Sequence, residues 1–89
     1  MPFSCLDDRI QQKLTEYERL YKQAESAIKY CEVQQLEGLM FPPINELRYS
    51  GQHITRAFMA TDINAALKCF DEGLRHIRRA IYDAYDASV

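Results

Sequence analysis

The sequence has no C-x-x-C pair, no glycine-rich loop, no H-E-x-x-H or E-x-x-H pair, and no apolar run long enough to span a membrane. Each absence removes a class of function. Without a glycine-rich turn there is no backbone cradle for a nucleotide phosphate. The only histidines, His53 and His76, lack recognised ligand spacing, so neither a zinc site nor a carboxylate-bridged di-iron bundle is expected, and no cofactor. A membrane helix needs about 20 apolar residues in succession, and none is expected here. The cysteines are odd in number and widely spaced, at Cys5, Cys31 and Cys69, which does not make a disulfide framework. Reduced, inert thiols in an intracellular protein are expected. The opening MPFSCLDDRIQQ reaches charge by Asp7 and has no apolar core of a secretory leader, so a cytoplasmic location is expected. The formal charge of −2 argues against a surface that seeks polyanions everywhere; nucleic-acid binding would need a local basic patch.

What is present is helical periodicity. With 47% hydrophobic and 27% charged residues over 89 positions, the chain has the make-up of one soluble globular domain covering residues 1–89. Such a chain buries only roughly 60–65% of its unfolded surface and is marginal alone. Ser4 is placed to cap a first helix, with Asp7 and Asp8 at its positive end. Ile10, Leu14, Tyr17, Tyr21, Ala24, Ile28 and Cys31 then recur in steps of four and three, with Leu6, Leu20, Ala27 and Leu36 on one flank. Glu18–Lys22 and Glu25–Lys29 are ion pairs in the favourable order. Gly38 is the natural stop, so this helix is expected from about Cys5 to Glu37.

A short greasy connection, Leu39 to Pro43, leads to a second helix from about Pro43 to Ala60. Pro42 and Pro43 suit its entry, and Ile44, Leu47, Gly51, Ile54 and Phe58 form its stripe. Thr61 or Asp62 can cap a third helix, whose seam reads Ile63, Leu67, Phe70, Leu74, Ile77, Ile81 and Ala84. Gly73 interrupts it at a cost of about 1 kcal/mol against alanine, and offers room for a neighbouring helix to come close. Met40 and Met59 read as gap-fillers, and the six tyrosines as core or interface residues. The fold class is therefore all-α: a three-helix antiparallel bundle with a long N-terminal helix. A first helix of about 33 residues would be roughly 50 Å long, against a diameter of about 30 Å for a compact domain of this size. The second helix cannot cover it, and Leu14, Tyr17, Tyr21 and Ile28 would form a bare strip. A homodimer completed by helix packing on that strip is expected.

Arg48 and His53 are the first candidates for chemistry. Arginine clamps phosphate with forked donors, and histidine moves protons near neutral pH. Together they could cleave RNA without metal. Five residues along a helix is about 140° of rotation, so the pair would converge only at a helix end or in a cleft between two chains. Arg75, Arg78 and Arg79, with His76 beside them, are the densest positive charge and could line a phosphate track on one broad face. The alternative there is a solvent face laced by Asp71–Arg75 and Arg79–Asp83 pairs.

The R-x4-H spacing within ELRYSGQH (Glu46 to His53) resembles the pattern of the HEPN superfamily. LRHIRRAIYDAYDA (Leu74 to Ala87) is similar to a helix common in such domains. The resemblance covers the last half of the chain. It implies a small helical, dimeric protein, often toxin- or defence-associated, whose members are metal-independent ribonucleases or catalytically dead interaction domains. It would make Arg48 and His53 the catalytic pair. Two functions are therefore expected in order: a dimeric helical interaction module that docks a partner protein, and, as the alternative, an endoribonuclease with RNA at a dimer cleft.

Overall fold

Two of the three helices begin where an aspartate can satisfy their first free N–H groups. Asp7 Oδ1 accepts from Arg9 N at 2.9 Å, and Asp7 O accepts from Gln11 N at 2.9 Å, opening α1 (Asp8–Gln34). The hydrogen bond from the Arg9 side chain, first among several contacts with that residue, holds the Asp7 carboxyl below its usual range. Asp62 Oδ1 accepts from Ala65 N at 2.8 Å and opens α3 (Ile63–Ala87). Of the two expected caps for the third helix, Asp62 is the one used. Between them α2 (Phe41–Met59) carries Pro42 and Pro43 in its first turn, where no N–H is needed. The computed structural model describes residues 7–34 and 41–87, and among these there is no strand. The Ser4 cap, the expected helix ends at Cys5 and Glu37, the flanking Leu6 and Leu36, the Gly38 stop and Met40 lie outside the described residues.

The chain runs up, down and up. Ile10 of α1 packs with Ala57 near the end of α2 and with Ala66 and Phe70 near the start of α3. At the far end Cys31 donates to the Ala84 carbonyl at 2.9 Å. α1 and α3 are therefore parallel, and α2 is antiparallel to both. α3 is the spine: both other helices lean on it, while α1 and α2 meet at few points.

Three apolar layers stack along the bundle. The first joins Ile10, Ala57, Ala66 and Phe70, with Phe58 edge-on to Phe70 at 5.7 Å. The second joins Leu20, Ala24, Leu74, Ile77, Ala80 and Ile81; the third joins Ala27, Ile28, Cys31 and Ala84. Fully burying one Phe, Leu or Ile side chain contributes roughly 1.5–3 kcal/mol. Two ion pairs, Lys13–Asp71 at 2.5 Å and Arg78–Glu16, also join α1 to α3. Half-exposed pairs of this kind contribute about 0–1 kcal/mol each, so the layers decide stability and the pairs trim the register. Glu18–Lys22 forms along α1 as expected, at 3.3 Å.

Several expectations are corrected. The length argument for a bare strip fails, because the molecule is a rod of 46 × 18 × 16 Å and the 25 residues of α3 run beside the 27 of α1. Ile28, expected on that strip, is only 6% exposed and belongs to the third layer. The fully buried line of α2 is Pro43, Ser50 and Ala57; Ile44, Leu47, Ile54 and Phe58 of the expected stripe pack half-buried against the layers beside it, and Gly51 alone departs, since a Cβ there would meet nothing within 4 Å. Met59 is 77% exposed and fills no gap. Of the tyrosines expected in a core or an interface, Tyr30, Tyr49, Tyr82 and Tyr85 are exposed and lie outside the core of the single chain, and Cys69 is only partly covered.

Gly73 is where α3 meets α2 most closely. A Cβ there would lie 2.9 Å from Ile54 Cδ1 and 3.3 Å from the Ser50 carbonyl oxygen. The two helical glycines therefore predict opposite outcomes. Gly51→Ala is expected to stabilise by about 0.5–1 kcal/mol, since helix propensity acts alone. Gly73→Ala is expected to destabilise by about 1 kcal/mol, because overpacking exceeds the same propensity gain. Urea unfolding of both variants measures this, and an equal gain at the two sites would contradict the close approach.

Candidate functional site

Polar residues recur on α2 at Glu46, Tyr49, His53 and Arg56, in steps of three, four and three, so they share one face. On α3, Glu72, His76 and Arg79 recur in steps of four and three, with Arg75 beside them. The antiparallel packing of the two helices brings these stripes together. His76 Nδ1 donates to Glu46 Oε2 at 2.6 Å, the carboxylate being the acceptor. Arg79 Nε stands 3.8 Å from Glu46 Oε1. In the opposite sense, His53 of α2 faces Glu72 of α3, with Nδ1 3.0 Å from Oε2. The two imidazoles stack, with centroids 5.0 Å apart and planes 11° apart, and Tyr49 tilts against His76 at 5.7 Å.

The two histidine–carboxylate contacts differ in kind. At His76 the direction suits a hydrogen bond. At His53 the distance suits an ion pair, yet Nδ1 is shielded from solvent and makes no hydrogen bond. The geometry there is an electrostatic contact without directional bonding. Burial pushes the His53 imidazole below its usual pKa; Glu72 pulls it back up, and His76, Arg56 and Arg75 push it down further. His53 is thus a covered imidazole with its neutral form favoured, flanked by cations. Such a group can accept a proton near neutral pH.

The structure does not bring Arg48 and His53 of one chain together. Arg48 is exposed and donates to Asn45 Oδ1 at 3.4 Å, while His53 turns to α3. The arginine track is also divided. Arg78 pairs with Glu16 of α1, whereas Arg79 reaches Glu46 of α2, and Arg75 lies near His53. Asp71 is taken by Lys13 and Arg79 by Glu46, in place of the expected Asp71–Arg75 and Arg79–Asp83 pairs. Among the described residues no group of three or more His, Cys, Asp or Glu is placed to hold a metal ion. Glu46, Glu72, Tyr49 and Arg56 were not among the expected site residues. Counting polar residues at helical spacing, as was done for apolar ones, finds them.

On the other side of the molecule, Leu14, Tyr17 and Tyr21 line an open groove of about 420 Å³ with Glu18, Lys22 and Glu25. Tyr17 and Tyr21 stack at 6.0 Å. Ser50 donates its one proton to the Leu47 carbonyl at 2.7 Å, so Tyr17 is the donor in the 3.1 Å contact between the two hydroxyls. Burial is the main cause that raises the pKa of Tyr17.

No protein-family model, curated protein or solved structure matches the chain.

The lowered pKa of His53 has a defined sign. The unfolded state binds this proton more readily than the folded state, so the contribution of neutral His53 is complete above about pH 6.5 and is lost as pH falls below it. The urea midpoint is expected to fall more between pH 7.5 and pH 5.5 for the native chain than for His53→Gln. Parallel pH profiles would show that His53 takes up no extra proton on unfolding.

Proposed function

We propose that the chain is a small helical interaction module of the HEPN-like type that self-associates along the α1 side of the bundle. The observation that carries this reading is the half-covered Leu14–Tyr17–Tyr21 strip, whose inner side packs against the apolar layers while its outer side lines an open groove. The strip's rim favours a second copy as the occupant. Glu18 and Lys22 carry opposite charges one turn apart. Two α1 helices crossing antiparallel about an axis midway between positions 18 and 22 would set each glutamate against the other copy's lysine. Stacked tyrosines supply large apolar area, and the Tyr17 hydroxyl is already satisfied by Ser50. Toxin or defence association and docking of a further protein go with the HEPN likeness, which rests on the sequence. Among the described residues no helix is long and apolar enough to cross a membrane, and a cytoplasmic location goes with this reading.

A second reading, metal-independent RNA cleavage, is favoured by one observation: His53 has a second imidazole 5.0 Å away and two guanidiniums near it. An acid–base pair beside cations is what phosphodiester cleavage requires. In one chain the cations are Arg56 and Arg75, so a role for Arg48 requires a second copy.

Two experiments separate these readings. Size exclusion with light scattering is expected to give a dimer mass for the native chain and a monomer mass for Tyr21→Glu at unchanged helix content. A native monomer at every concentration removes self-association. Cleavage of structured RNA in chelator, present in the native chain and absent in His53→Ala, would establish the enzyme; identical activity in both would discard it.

A further inference from the structure

We infer that Arg56, His53 and Arg75 form a phosphate-binding site on the α2–α3 face. Three features of the charge arrangement lead there. Arg56 and Arg75 are exposed and, among the described residues, neither has a carboxylate within ion-pair distance, whereas Arg78 toward α1 and Arg79 toward α2 each have one. Arg56 lies one turn beyond His53 on α2, and Arg75 stands on α3 between Glu72, which contacts His53 at 3.0 Å, and His76, which stacks on it at 5.0 Å, so the three groups are neighbours across the helix–helix seam. His53 Nδ1 is shielded and lacks a hydrogen bond, and its contact with Glu72 leaves Nε2 as the nitrogen able to face a ligand.

The charge count favours an anion. Glu72 is the one carboxylate in contact with His53, and Glu46 is committed to His76 and Arg79. Two guanidiniums against one carboxylate leave one positive charge, and protonation of His53 on ligand binding adds another. Guanidinium forks match the tetrahedral oxygens of phosphate better than any other side chain. Tyr49 and His76 complete the wall on the α2 and α3 sides. The shared chemistry is a phosphate group, carried by an RNA backbone or free in solution. The site depends on neither self-association nor cleavage: phosphate bound here by a protein that cuts no RNA keeps the site and removes the ribonuclease.

The test is an NMR titration of the His53 ring proton near pH 6.5 with inorganic phosphate, against chloride at equal ionic strength. Phosphate is expected to shift this resonance and raise the apparent pKa of His53. Arg56→Gln and Arg75→Gln are each expected to weaken binding about tenfold, the loss of a hydrogen bond between charged groups. Glu72→Gln is expected to tighten it several-fold. The opposite signs separate a site from general damage, which would weaken all three; that outcome counts against the site. A second arm uses a single-stranded oligoribonucleotide. Binding more than tenfold tighter than phosphate, and lost in the same arginine variants, assigns the ligand to RNA; equal or weaker binding assigns it to free phosphate. No phosphate-specific shift, or unchanged affinity in both arginine variants, overturns the site.

Discussion

The approach of α2 to α3 at Gly73 is the constraint on which the rest of the structure depends. Ser50, Ala57, Ala66, Gly73 and Ala80 are all small, and all are buried. On each helix they lie seven residues apart, so each set stays on one face for the full contact. Small residues let two backbones come close. That closeness then fixes what the longer side chains beside them can reach. Glu72 precedes Gly73 directly and His76 follows it by three, so both sit on the turn that α2 approaches. Were the helices a methyl group further apart, the 2.6 Å His76–Glu46 bond and the 5.0 Å imidazole stack would be the first contacts to loosen.

α1 joins this pair on different terms. It lies parallel to α3 and is held by larger residues: Leu20, Ile28 and Cys31 against Leu74, Ile81 and Ala84. Its polar flank contributes Lys13 and Glu16 to pairs with Asp71 and Arg78. The two sides of α3 therefore have different roles. Toward α1 its charges are paired across the seam, whereas toward α2 they gather around two imidazoles, and Arg75 has no ion-pair partner among the described residues. This asymmetry places the clustered imidazoles and guanidiniums on the α2 side, while on α1 Tyr17 and Tyr21 stay half-buried beside an open groove.

Much of the fold was legible in the sequence because apolar spacing of three and four is a strong signal over long helices. The helix count, the antiparallel order and the Asp62 cap follow from it. What escaped were positions where size mattered more than hydropathy. Ser50 at 0% exposure is a core residue that no apolar template selects; its hydroxyl is satisfied by Leu47 and Tyr17. Rotation about the α1 axis was misjudged in the same way. Leu14, Tyr17 and Tyr21 are apolar but sit at the edge, while Leu20 and Ala27, read as a flank, face α3. Helix length misleads for a different reason: a sphere of this size could not cover the first helix, but three long helices side by side make a rod. For the site, His53 was found by residue type alone. Its companions were not: Glu46, Tyr49 and Arg56 recur beside it on the same helix as a polar stripe that apolar spacing passes over, and Glu72 comes from a second helix, where spacing does not state which faces meet.

The crossed pattern of the site also bears on register. α2 contributes Glu46 and His53, and α3 contributes Glu72 and His76, so each histidine meets the other helix's carboxylate. Sliding α2 by one turn, about 5.4 Å, would undo both contacts together. The same slide would move Ile54 and the Ser50 carbonyl off Gly73 and press them on larger side chains. Polar matching and steric matching thus select one alignment, and each restricts the errors the other would tolerate. Burying two imidazoles this way costs solvation, and at His53 the cost is not fully recovered, because Nδ1 makes no hydrogen bond. A purely structural seam would have no reason to surround that imidazole with two guanidiniums lacking carboxylate partners. An incoming anion would supply the negative charge these guanidiniums lack, which is the ground for reading this stretch of the α2–α3 seam as a site as well as a contact.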